Sequence, residues 1–307
     1  MTLTAAQCIA DMKLAAGTSP EGFVPIDAIN SVGVIVSGLH AWKWRERFGR
    51  LNSRAAIAVS DATWEESSKT LTKAGAFASY AFLAGDEVQI TGGADATLGF
   101  YRVASRVDAN SITLETSIGA AADTDTDIDG TLLATALALP SDFEALIDGP
   151  RSTATGQSIA MVPHDRLQLL RVAEDAWGDY GSIVYAQLAA GGAPVPRLEV
   201  HPQPATSTVN AYVITYRARW QDVSSDQAVI PIPDFLEPFF RDICRLYARS
   251  VVENDTIGFS ERVATRLQSP DYAAVIYRDG MIQPSYGKIR SGVDESYGPV
   301  ITFLNPA

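Results

Sequence analysis

Apolar residues recur at helical spacing near both ends of the chain and at alternating spacing through its middle. Ala5, Ile9, Met12 and Ala16 fall on one helical face, Thr4 with Gln7 fits a capping box, and Gly17 supplies a stop. A second helix is predicted from Pro25, a residue suited to a first turn. Ile29, Val32, Val36 and Leu39 form its stripe, which runs on into His40, Ala41, Trp42, Lys43, Trp44 and Arg45. The two Trp rings read as anchors at the edge of a core. Further on, Asp234 with Glu237 offers a second capping box, and Phe239, Phe240, Ile243, Leu246, Tyr247 and Val251 give a strong apolar face. Arg241, Arg245 and Arg249 stand on the opposite face at intervals of four. A short helix holding Val263 and Leu267 follows, and from Pro270 the Gly-, Tyr- and Pro-rich chain reads as an extended arm.

The texture changes at about Asp61. Residues 61–130 hold twelve acidic and four basic side chains, a net of -8 out of -12 for the whole chain. Val88 and Ile90, Tyr101 and Val103, and Ile112 and Leu114 alternate with polar residues, while Gly92–Gly93 and Asp108–Asn110 supply turns. That pattern predicts a compact all-β module of five or six short strands. Strands are expected again at Ile159–Val162, Arg197–His201 and Asn210–Arg219, with Tyr212, Ile214 and Tyr216 on one face. The fold class is α+β: a helical bundle with an antiparallel β region, an inserted small all-β domain and an extended C-terminal arm. The boundaries expected are 1–60 with 131–269 for a discontinuous core, 61–130 for the insertion and 270–307 for the arm.

Composition adds exclusions. The chain is 47% hydrophobic and 20% charged, as ordinary globular proteins are. Its net charge opposes groove-binding to nucleic acid, which needs clustered Lys and Arg to displace counterions. Cys8 and Cys244 fall among apolar neighbours in predicted helices and read as buried, reduced thiols. The first residues lack the basic patch and apolar stretch of a secretory signal, and the longest apolar runs, Val32–Val36 and Leu132–Leu139, are too short to span a bilayer. None of His40, His164 and His201 has a second ligand at metal spacing, and neither a phosphate-binding glycine loop nor a nucleophile elbow occurs. The expectation is a protein that is not an enzyme and needs no cofactor. Asp125, Asp127, Asp129 and Gly130 match the first half of a calcium loop, but Ala136 stands where a bidentate Glu is required. A solvated acidic linker is the favoured reading of that run. The arginine row has two readings, a solvated face or a docking surface for an acidic neighbour such as an adjacent copy.

Several segments, in order, resemble the head–tail connector (adaptor) family of tailed bacteriophages. They are the Asn30-containing helix leading to Trp42 and Trp44; Leu139, Pro140, Ser141, Asp142 and Phe143; and Leu198–Pro204 with Tyr212–Arg219. Last come Ile232, Pro233, Asp234 and Phe235, opening a helix with Tyr247 and Ala248. The insertion resembles a small β module of phage virion proteins through Ala76–Phe77, Phe82–Gly92, Gly99–Val103 and Ile112–Leu114. The resemblance implies a virion protein at the head–tail junction, made in the host cytoplasm and independent of membranes. It would dock under the portal protein as a ring of copies, commonly about twelve. A downstream tail or nozzle protein would sit below, and DNA would pass through without specific binding. The candidate assembly interface is Arg241, Arg245, Arg249, Trp42, Trp44, Tyr272, Tyr277 and Tyr286. The alternative is a neck or tail protein whose β insertion binds a fibre or a host-surface glycan.

Overall fold

The computed structural model describes residues 3–17, 23–119, 124–134, 136–172, 179–186, 195–204 and 206–281. Helices and sheets both occur, and the chain divides into two compact units: Met1–Arg47 with Ala218–Ala307, and Phe48–Arg217. The elements run α1 (Ala5–Ala16), α2 (Pro25–Leu39), β1 (Glu46–Leu51), β2 (Ile57–Glu65), β3 (Thr70–Thr72), β4 (Glu87–Gly92) and β5 (Gly99–Arg106). Next are β6 (Ser111–Leu114), β7 (Thr124–Leu133), β8 (Ala136–Ala138), β9 (Phe143–Ser152), β10 (Ala160–Met161) and α3 (His164–Val172). Then follow β11 (Tyr180–Ala186), β12 (Val195–His201), β13 (Tyr212–Ala218), α4 (Glu237–Glu253), α5 (Thr256–Leu267) and α6 (Pro270–Gly280).

The first unit closes helices from both ends of the chain around one core. Gln7 accepts a hydrogen bond from the Thr4 backbone N–H at 2.9 Å, so α1 starts where its capping residues place it. Its Cys8 and Met12, with Ile29 and Val32 of α2 and Phe240 and Ile243 of α4, are wholly buried. Each large apolar side chain among them contributes roughly 2 kcal/mol. Trp220 stacks on Phe240 with ring centres 5.8 Å apart. The indole also passes so near Gly33 that a β-carbon there would lie 2.0 Å from it, which explains a glycine within a helix. Asn30 faces the same segment: it accepts from the Val223 N–H at 2.8 Å and donates to the Val223 carbonyl at 3.1 Å. These bonds satisfy a polar side chain on an otherwise apolar helix.

Helix α6 replaces the first part of the expected extended arm. Ser269 caps it by accepting from the Tyr272 N–H, Pro270 occupies the first turn, and Tyr272 and Val275 are buried. The Gly- and Tyr-rich composition concealed this amphipathic turn pattern; residues 282–307 of the expected arm lie outside the described residues. Three further expectations fail locally. Helix α4 begins at Glu237 behind a 3-10 turn (Asp234–Leu236) without a side-chain cap, so Asp234 and Glu237 form no capping box. Val251 is 41% exposed rather than part of the apolar face. The stripe of α2 ends at Leu39, and a 3-10 turn over Lys43–Arg45 leads directly into β1.

The second unit contains a closed six-stranded antiparallel barrel, β2-β3-β6-β5-β4-β7. Closure follows from alternation: Trp64, Leu71, Val88, Ile90, Ile112, Ile128 and Leu132 all turn inward and are buried. Register shifts in β2, β4 and β5 supply the bends. The compositional break at about Asp61 falls inside β2, because burial begins with Val59 before acidity does. Beside the barrel are a four-stranded sheet, β10-β11-β12-β8, against which α3 lies, and a three-stranded sheet, β1-β13-β9.

A buried ion pair ties barrel to sheet. Arg54 meets Asp86, which is fully buried, through two bonds of 2.7 and 2.5 Å. The same guanidinium donates to the carbonyls of Ala81 and Ala136, and Asp86 also accepts from the Tyr80 hydroxyl and the Leu83 N–H. Burial and the Asp86 charge push the Tyr80 phenol far up, so it remains a donor. Replacing Arg54 with Met would strand that carboxylate, and the expected loss is about 3–5 kcal/mol. Hydrogen exchange should report it as lost protection in β4 and β7; unchanged protection there would contradict the role. Gly33→Ala should cost about 1–3 kcal/mol through the clash with Trp220, measured by denaturant unfolding.

Candidate functional site

Helix α4 carries the arginine row in register with its neighbours α1 and α5. Arg241 donates from Nε to Asp11 of α1 at 2.5 Å, and Arg245 donates to the other oxygen of that carboxylate at 3.0 Å. Arg241 also pairs with Glu237 at 3.4 Å, one turn back. Asp242 in turn bridges Arg245 at 3.3 Å and Arg266 of α5 at 2.7 Å. The row is therefore neither a bare solvated face nor a free cationic strip over its first two members. It belongs to a network that clamps α1 and α5 to α4.

Burial alone would raise the pKa of Asp11, but the bonds and charges of Arg241 and Arg245 outweigh it and hold the carboxyl below its ordinary value. Arg241 is pushed up by the same contact. Sequence reasoning passed over Asp11. The available signal is its place three residues after Cys8 and beside Met12, where the buried face of α1 carries a charge.

Arg249 differs. It is exposed, and no acidic partner meets it among the described residues. It lines a groove of about 180 Å³ with Arg245, Arg266, Asp242, Leu246 and Ala15. Three guanidinium groups thus line the groove together with the Asp242 carboxylate and the apolar side chains of Ala15 and Leu246. Such a groove suits a carboxylate, since a guanidinium presents paired donors to two oxygens.

The aromatic members of the expected interface lie elsewhere. Trp42 is wholly buried, donates from Nε1 to the Val36 carbonyl at 2.7 Å and meets Tyr272 edge-on at 6.4 Å. Tyr272 is itself 6% exposed. Both rings are core residues in this unit and are not available to a partner. Trp44 is half-buried, and its backbone N–H donates to Asp279. Tyr277 is 67% exposed on α6, apart from the residues lining the groove. Tyr286 lies outside the described residues.

The acidic run after residue 123 is neither a calcium loop nor a linker. Asp125, Asp127 and Asp129 alternate along β7 with the buried Ile128 and Gly130 between and beside them. A β-carbon on Gly130 would lie 2.6 Å from the Gln89 carbonyl, so the glycine serves close strand packing rather than a loop turn. Among the described residues, no group of three or more His, Cys, Asp or Glu is placed to hold a metal ion. His164 Nδ1 stands 3.6 Å from a carboxylate oxygen of the buried Glu199, a contact that brings α3 against β12. Cys8 and Cys244 are both buried and unbridged, and burial, then the neighbouring Cys8 thiol, push Cys244 well up. They act as the small core residues expected. No helix among the described residues is long and apolar enough to cross a membrane.

The chain matches no protein-family model and no curated protein sequence.

Asp11→Asn should destabilise the protein by about 1–2 kcal/mol at pH 7. That is less than a fully buried pair would lose, because Arg241 and Arg245 remain 32% and 42% exposed. A lowered folded pKa gives stability that is complete above the unfolded value, about 3.9, and lost as pH falls through the folded one. The deficit of the Asn variant should therefore be full at pH 7 and shrink below about pH 4. Denaturant unfolding at both pH values checks this, and a deficit independent of pH would refute it.

Proposed function

We propose that this chain is a structural, non-enzymatic adaptor at the head–tail junction of a tailed phage, docking as a ring beneath the portal. The observation that carries the reading is the division of labour along the chain. Helices from both ends close one unit, and a single excursion, Phe48–Arg217, forms the β unit between them. A connector needs one surface for the portal and another for the next tail component, and two compact units supply two surfaces. The segments that resemble the adaptor family fall in both: Asn30 and Asp234 in the helical unit, Leu139–Phe143 and Leu198–Pro204 in the β unit.

The arginine groove on α4 adds support, because an assembly protein needs surface charge that its own fold leaves unmatched, and Arg249 is such a charge. The net charge of -12 also suits a channel wall past which DNA slides without sticking.

A second reading is favoured by one observation on the barrel. Leu98, just before β5, and Phe100, on the outer face of β5 opposite in parity to the buried Val103, are 61% and 42% exposed. Exposed apolar side chains on a closed module fit a contact with a fibre or with the apolar face of a host-surface glycan.

Electron microscopy of the protein mixed with the portal protein of the same genome distinguishes the two. The expected outcome is portal rings, isolated or on DNA-filled heads, that gain a stacked layer with rotational symmetry. Portals that stay bare in both settings would overturn the adaptor reading and leave the binding module in its place.

A further inference from the structure

We infer that the groove of Arg245, Arg249 and Arg266 is one half of a self-association contact, and that its occupant is the outward face of β7 from a second copy of this chain. The inference deepens the ring proposed above and rests on the chain's assembling with itself.

Pitch and charge carry it together. Arg245 and Arg249 are four residues apart on a helix, so their backbones are separated by about 6 Å along the axis. Asp127 and Asp129 are two residues apart on a strand, a separation of about 7 Å. Both aspartates are exposed and on the same face of β7, since Ile128 between them points into the barrel. An acidic strand laid along α4 therefore presents carboxylates at nearly the interval of the guanidinium groups. Arg249 lacks a partner among the described residues, whereas Arg245 already meets Asp11 and Asp242, and Arg266 meets Asp242. The incoming carboxylate thus has one vacant guanidinium and two partly satisfied ones to meet.

The source of the carboxylates follows from where the negative charge lies. Residues 61–130 carry -8 of the chain's -12, so the acidic surface is concentrated on the barrel. Two copies at -12 each repel at long range, and local complementarity of this kind offsets that repulsion where they dock. The two surfaces are different patches, so the contact is heterologous: each copy offers a groove to one neighbour and a strand to another. Repetition of such a contact gives a closed ring when the rotation closes.

The test uses the full chain and reads self-association by sedimentation velocity, with circular dichroism confirming the fold. Arg249→Asp and Asp127→Arg should each weaken association about tenfold. An equimolar mixture of the two variants should recover it, because the altered groove of one accepts the altered strand of the other. The double variant R249D/D127R keeps the net charge at -12 and should also recover it. Association of the wild type that neither substitution changes overturns this contact while leaving the adaptor reading intact. So does a monomeric wild type that layers portal rings to an occupancy the substitutions do not alter. A chain that neither self-associates nor layers portals counts against the adaptor reading itself.

Discussion

A carboxylate removed from water must find donors, and each of three aspartates of this protein finds at least one of them on another segment of the chain. Asp86 holds Arg54 and the turn at Tyr80 and Leu83, and through the shared guanidinium reaches Ala136. Asp11 holds Arg241 and Arg245, more than two hundred residues on. Asp279, fully buried near the end of α6, accepts from the backbone N–H groups of Lys43 and Trp44 at 2.7 and 3.3 Å. Each unit is thus pinned at a junction where a mispaired arrangement would leave a charge unsatisfied inside. Apolar burial supplies the driving force for collapse, but these carboxylates decide which segments meet.

That division explains what was legible in the sequence. Helical stripes and alternating strands announce themselves through spacing, and α1, α2, α4, β4, β5 and β6 lie where those patterns place them. Strands β2 and β7 were hidden because barrel strands bend through register shifts, which interrupts the alternation at Ala62 and masks it behind aspartates. Helix α6 was hidden by Gly and Tyr, although its Ser269–Pro270 start is a cap signal that composition outweighed. The Arg54–Asp86 pair, 32 residues apart, and the bonds of Asp279 to Lys43 and Trp44, 236 and 235 residues apart, span too much sequence for any local pattern to show them.

The candidate site was half legible. A row of arginines at intervals of four fixes which side chains share a helix face, and α4 does present them together. The row says nothing about what faces it, and Asp11, Asp242 and Glu237 make three different local environments out of one repeated residue. Only Arg249 keeps the character the pattern implied. Trp42 is the core anchor its spacing suggested, with its indole N–H donating to the Val36 carbonyl, and for that reason it cannot also serve the expected interface.

The discontinuous helical unit also has a consequence in time. Helices α1 and α2 leave the ribosome early, yet the residues that cover Ile29 and Val32, Trp220 and Phe240 among them, are made about two hundred residues later. At ordinary synthesis rates that is a wait of roughly 10–40 s. The barrel of the β unit, whose strands β2–β7 all lie within Ile57–Leu133, can reach its final pairings during the interval. The apolar faces of the first two helices meanwhile remain uncovered, a natural substrate for a chaperone. Birth order therefore runs opposite to position: the middle of the chain matures first, and its beginning matures last.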